Sequence, residues 1–295
     1  MRMVFMNFKI GDIVARKSYG SDILFKVVDI KNEGGKKVAI LKGICYRLEA
    51  DAPESDLMIQ PESNVREYNK KINMKVEEKV RSLTASALRT NAKKKFFRAV
   101  SDEEDKNFAK PGRVLHIDGD NDYLNTCLES YKKFGIDAVG VYVKEKEQPL
   151  KIYDLLVKHK PDILVLTGHD GVIKSEKGYA DINNYRNSKY FVDSVKVARR
   201  FDSDLDSLVI FAGACQSMYN KLIEAGANYA SSPYRVLIHA LDPVMVCERI
   251  AFTSINEIVN PREVIQKTIT GIKGIGGIET RGKYRDGFPQ EPLNF

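Results

Sequence analysis

From Pro111 onward the chain alternates short apolar runs with amphipathic ones, and no other feature limits its fold as severely. The segments 113–118, 138–143, 163–167, 208–212 and 235–240 are nearly continuous apolar runs of strand length. Between them, 123–134, 150–159, 190–201 and 218–225 carry apolar residues at helical spacing, with Gly135, Pro161 and Gly226 as stops. Strands that are apolar on both faces and separated by helices predict a mostly parallel sheet covered by helices on both sides. In such sheets, reactive groups stand just beyond the carboxyl ends of strands.

The residues before this region read differently. Within 5–61, β-branched runs alternate with Gly, Asp and Asn clusters, including Asn32-Glu33-Gly34-Gly35, which predicts a small barrel of the SH3-like type. Residues 62–110 form a basic connector whose stretch 62–99 holds no Gly or Pro and favours helix. The remainder, 111–295, is the α/β region.

Charge then has a definite address. The chain of 295 residues carries a net +7, yet 11 Lys and Arg against 3 Glu fall between residues 66 and 98, leaving the rest at −1. A solvated helical face is the plainer reading of that cluster, and a contact with phosphates is the sharper one. No apolar run is long enough for a membrane span, and residues 1–10 lack the features of a signal peptide. The four cysteines, Cys45, Cys127, Cys215 and Cys247, form no CxxC pair, which argues for a reducing compartment and against a disulfide framework or a Cys-rich zinc site.

Two strand ends carry chemistry. After 163–167 comes Gly168-His169-Asp170-Gly171, and after 208–212 comes Gly213-Ala214-Cys215-Gln216-Ser217. A thiol at a strand edge, opening a helix and near an imidazole, is the arrangement of a cysteine nucleophile with a His partner. Each residue alone is an ordinary packing residue, and the shared edge is what raises the pair above that. Gly168, Asp170, Gly171 and Gly213 are the candidates for backbone contacts to a reacting carbonyl, with Asp170 and Gly171 left as alternatives for one of the amides.

An apolar strand ending in His, followed 46 residues later by Ala214-Cys215-Gln216, resembles the caspase-like peptidases. Gly213 and Ser217 depart from the flanks of caspases themselves. Val14-Ala15-Arg16-Lys17-Ser18-Tyr19-Gly20, Leu48-Glu49-Ala50-Asp51-Ala52-Pro53, Thr167-Gly168-His169-Asp170-Gly171 and Ala212-Gly213-Ala214-Cys215-Gln216-Ser217 are similar to the YabG family of sporulation-specific cysteine peptidases over essentially the whole chain. The resemblance implies a caspase-like, Rossmann-like layering and an endopeptidase of the sporulating mother cell that associates with the forming coat. It also implies coat, cortex and germination proteins as substrates, cleaved after Arg, and no cofactor. An arginine side chain is best read by a carboxylate. Asp242 occupies a place similar to the specificity Asp of Arg-cleaving relatives, Asp170 is the second candidate, and a helix start at Asp242-Pro243 is an equally good reading.

Other signals are weaker. Asp118-Gly119-Asp120-Asn121-Asp122 has calcium-loop spacing, but Tyr123 stands where Gly is needed, so no metal is expected and the loop could instead border the site. Residues 271–277 are Gly-rich without a phosphate-loop form and read as a C-terminal loop. His116 and His239 read as hydrogen-bonded core residues, and Cys45, Cys127 and Cys247 as packing residues. Self-cleavage at Arg81, Arg89 or Arg98 is conceivable in an Arg-specific peptidase. The alternatives to a peptidase are a non-catalytic module that docks on spore coat or nucleic acid through the barrel and basic helix, and a Cys/His amidase acting on small substrates.

Overall fold

The computed structural model describes residues 8–33, 35–98, 108–173 and 178–288. Strands β1 (Ile13–Arg16), β2 (Leu24–Glu33), β3 (Lys36–Gly43), β4 (Glu49–Pro53) and β5 (Leu57–Ile59) form an antiparallel sheet in the order β4-β3-β2-β1-β5. Val14, Phe25, Val27, Ala39, Leu41 and Ala52 make its core. A register shift between Val27 and Asp29 marks a bulge that bends β2.

Helix α1 (Glu62–Arg98) follows. Through residue 83 its basic side chains are largely exposed, yet Leu83 is only 1% exposed, and Val76 and Val80 pack on the main core. Lys79 Nζ donates to the Gln266 carbonyl, and Lys267 Nζ to Ser82 Oγ. The connector is thus a docked helix, not a wholly solvated one. Residues 99–107 of the connector, and the side chains of Arg89 and Arg98, lie outside the described residues.

After β6 (Phe108–Lys110), the α/β layer runs β7 (Val114–Asp118), α2 (Asn121–Phe134), β8 (Ala138–Tyr142), α3 (Gln148–His159), β9 (Ile163–Thr167), α4 (Ser188–Phe201), β10 (Val209–Ala212), α5 (Tyr219–Glu224) and β11 (Tyr229–Ser231). Then come α6 (Asp242–Phe252), β12 (Ile258–Val259), α7 (Pro261–Lys267), β13 (Ile275–Gly277), β14 (Thr280–Arg281) and β15 (Arg285–Gly287). The six-stranded sheet has the order β13-β11-β10-β9-β7-β8, parallel except for the antiparallel edge strand β13. Alternate residues feed two cores. Val114, Ile163, Val165 and Val209 face α2 and α6, whereas Leu115, Ile117, Leu164, Leu166 and Ile210 face α3 and α4. The chain moves outward from β7 to β8, then crosses back to β9, so the topological switch lies between β7 and β9.

Two expectations need correction. The last parallel strand is Tyr229–Ser231, not 235–240. Ser232 and Arg235 take left-handed backbone, which stops an extended run, and only an isolated bridge at His239 remains. The Gly-rich 271–277 is likewise more than a loop, since Ile275–Gly277 forms the β13 edge strand.

Candidate active site

His169 lies just past β9 and Cys215 just past β10, on neighbouring strands joined in register from Val209↔Ile163 to Ala212↔Leu166. Their two loops are stitched together. Ser217 Oγ donates to Asp170 Oδ2 at 2.8 Å, and Val172 N donates to Gln216 Oε1 at 3.3 Å. Gly213 has φ +105°, and a Cβ there would strike Ser231 Oγ, so the turn into Cys215 requires glycine. Gln216 holds φ +56° without that freedom, a strained position directly after the thiol.

The imidazole of His169 is 7% exposed and clasped by acids. Asp120 Oδ2 lies 3.0 Å from Nε2, and Glu145 Oε1 lies 3.5 Å from Nδ1. Glu145 Oε1 also accepts the His169 amide at 2.7 Å. A Cβ at Gly168 would strike that carboxylate, which explains the glycine before the histidine. Burial alone would depress the imidazole, but hydrogen bonding and charge from Asp120 and Glu145 outweigh it and hold its pKa up to about 9. His169 is therefore a cation at neutral pH. Asp120 balances burial against His169 and Lys42 and titrates at about 2. Lys42 Nζ reaches Asp120 at 2.6 Å and Asp122 at 2.9 Å.

Cys215 is fully buried. Its Sγ accepts the Ile238 amide at 3.3 Å and lies 3.7 Å from the Ile238 carbonyl. Burial pushes the thiol up to about 12, although the Ile238 amide and the charge of Arg47 pull the other way. The helix expected to open at the thiol, α5, begins four residues on and spans only six.

The remaining sequence candidates have partners within the fold. Asp170 is buried and accepts from the amides of Gly171 and Asn187 and from the hydroxyls of Ser188 and Ser217. Asp242, at the start of α6, accepts from the amides of His239, Ile269 and Thr270 and from Thr270 Oγ1. Gly213 donates its amide to the Leu166 carbonyl, as Gly171 does to its neighbour's carboxylate. His116 is a satisfied core residue between Tyr131 and Thr167, as expected. His239 donates its amide to Asp242 and to Thr270 Oγ1 and accepts from Leu241, while burial depresses its imidazole to about 4. Cys127 and Cys247 are buried and Cys45 half-buried. No cluster of metal-ligating side chains occurs among the described residues, and none of their helices is long and apolar enough to cross a membrane.

Reading strand by strand missed three participants. Asp120 caps α2 through Asp122 N and Tyr123 N, and the acidic turn after β7 was its only signal. Glu145 sits in a short turn after β8 with no motif around it. Arg47, from the turn between β3 and β4, is entirely buried against Asp118, with Nη1 to Oδ2 at 2.6 Å.

Comparison with known proteins identifies the family of the chain. The chain matches the family described as YabG peptidase U57 over residues 9–289. It is 46% identical over 291 residues to the sporulation-specific protease YabG of Bacillus subtilis (strain 168), covering 96% of this chain and 99% of that protein. No solved structure matches it. With the family match spanning nearly the whole length and a relative this similar end to end, the chain belongs to the YabG peptidase family, U57.

Proposed function

We propose that this peptidase is a cysteine endopeptidase of sporulation, with Cys215 as nucleophile and His169 as its acid–base partner, cleaving spore coat, cortex and germination proteins after Arg. The observation that carries the reading is the pairing of a cationic His169 with a thiol on the adjoining strand at the carboxyl edge of the sheet. The sporulation context rests on the name of the B. subtilis relative. The α/β layer is read as caspase-like, and the antiparallel sheet β1–β5 as an SH3-like barrel set ahead of the connector.

In the proposed cycle, Cys215 Sγ bonds to the scissile carbonyl carbon, and the thiol proton replaces, on the imidazole, the one that the His169 imidazolium delivers to the leaving amine. His169 gives a proton to the leaving amine, the C–N bond breaks, and water hydrolyses the thioester to return the thiol. With the amides of Gly171 and Gly213 already engaged, the amides of Cys215 and Asp170 are the proposed oxyanion donors. Because the buried thiol titrates near 12, attack requires the groove to open or substrate to reorganise Ile238. Substrate arginine is read by a carboxylate at this edge.

The test is a cleavage map of a coat-protein substrate. Cuts after Arg made by the wild-type chain and absent with Cys215→Ala support the reading. Undiminished cleavage by Cys215→Ala ends it.

A further inference from the structure

The segment between β3 and β4 does not stay with its own sheet. It crosses to the carboxyl edge of the α/β layer. Cys45 O accepts the Ala240 amide at 3.0 Å, Tyr46 bridges His239 in antiparallel sense, and the Arg47 amide donates to the Ile238 carbonyl at 3.3 Å. Three consecutive residues thereby meet 238–240 through one antiparallel bridge and its two flanking hydrogen bonds, the contact by which an extended peptide begins to add to an edge.

That edge is the nucleophile's own. The Ile238 carbonyl that takes the Arg47 amide also lies 3.7 Å from Cys215 Sγ, so the thiol and the Arg47 nitrogen cannot be farther apart than those two distances end to end. On the other side, Leu48 bridges Asp170, the residue after His169. The Arg47–Leu48 peptide therefore runs from the Cys215 wall to the His169 wall.

The side chain of Arg47 enters the crevice at the topological switch. It is fully buried, with Nη1 on Asp118 at 2.6 Å and Nη2 on the Ala240 carbonyl at 3.1 Å. Asp118 ends β7, and the Asp120 that grips His169 lies two residues on. Burial works against the Asp118 charge, but Arg47 and His116 hold the carboxylate far below its usual range, so it is ionised. Tyr123 fastens the segment from above, its hydroxyl donating to the carbonyls of Gly43 and Tyr46.

We propose that Cys45–Leu48 occupies the substrate groove as an internal substrate, with Arg47 in the pocket for the residue before the scissile bond and Asp118 as the carboxylate that reads arginine there. The proposal rests on Cys215 being the nucleophile. It makes the described form self-occluded and assigns arginine recognition to a residue other than Asp242 or Asp170, whose oxygens already serve the fold.

The experiment uses the full-length chain with Arg47→Ala and Arg47→Lys, checked for folding by circular dichroism. Alkylation of Cys215 by iodoacetamide is followed by mass spectrometry, beside hydrolysis of a short fluorogenic Arg peptide. Removing the occupant raises the fraction of open groove, so Arg47→Ala is expected to alkylate at least about 10-fold faster than wild type and to hydrolyse the peptide faster. Arg47→Lys keeps a cation on Asp118 and serves if the alanine chain does not fold, with a smaller acceleration expected in the same direction. Asp118→Asn placed on the Arg47→Lys chain should then lose the preference for Arg over neutral peptides. Folded variants whose alkylation and hydrolysis match wild type would show Arg47 to be only a structural tie, and the proposal falls. Peptide hydrolysis that persists in Cys215→Ala removes the proposed function instead, while the alkylation rates of the Arg47 variants still judge the occlusion.

Discussion

The two sides of the candidate active site are built from opposite materials. The His169 side is ionic: an imidazolium between Asp120 and Glu145, with Lys42 behind Asp120. The Cys215 side is apolar: a fully buried thiol whose hydrogen bonds run to the backbone of Ile238. Burial acts on both, yet it wins only at the cysteine, because the Ile238 amide and the Arg47 charge do not offset desolvation there, while Asp242 and Asp170 add to it. The lesson is that two residues on adjoining strands need not share one environment. In the proposed dyad, the proton donor is prepared by fixed charges, and the nucleophile is held in reserve by exclusion of water.

The largest break in this contrast comes at the thiol. Cys215→Ala leaves the packing nearly intact and should lower cleavage of an Arg-containing substrate by at least about 1000-fold, measured as kcat/KM. On the ionic side, Asp120→Asn keeps the cap on α2 but removes a charge from His169. A loss of about 10- to 100-fold in kcat is expected, and the alkaline limb of the pH–rate profile should move down from near 9. An unmoved limb would mean that Asp120 does not set the imidazole.

A third test separates charge from framework. Asp170→Ala strands the hydroxyls of Ser188 and Ser217 and two amides, and should cost about 2–4 kcal/mol by denaturant unfolding. The pH dependence of stability then reads the clasp itself. The folded pKa of His169 is raised above its ordinary 6.5, so its contribution is complete below about pH 6.5 and is lost as pH rises through about 9. Urea midpoints between those values should fall in the wild type and flatten in Glu145→Gln combined with Asp120→Asn. The smallest effect is expected where charge meets solvent. Arg186→Ala removes the half-exposed pairs to Glu49 and Asp51 and should cost no more than about 1 kcal/mol.

The strand ends bearing His169 and Cys215 were legible because a buried parallel strand is a local pattern, and β9 begins and ends where its apolar run does. The 235–240 run defeated the same logic. Ile238 and Ala240 are buried by tertiary contact, while the turns at Ser232 and Arg235 are set by backbone angles that composition does not reveal. Glu145 and Arg47 were illegible for a related reason. Each is polar, sits in a turn, and acquires meaning only from the order in which strands are laid into the sheet. Asp120 was half-legible, since its acidic turn drew attention as a loop bordering the site although nothing local pointed to His169.

The Arg47 contact also has a place in the order of synthesis. Arg47 emerges early, but the Ala240 carbonyl that holds it lies 193 residues later in the chain. Contacts of such long sequence separation slow folding. A growing chain therefore carries the arginine long before it has the pocket, and the edge that joins Cys215 to His169 is completed by the same event that covers it. Under the occlusion proposed above, the cleft of the newly folded chain is already full at the moment it first exists.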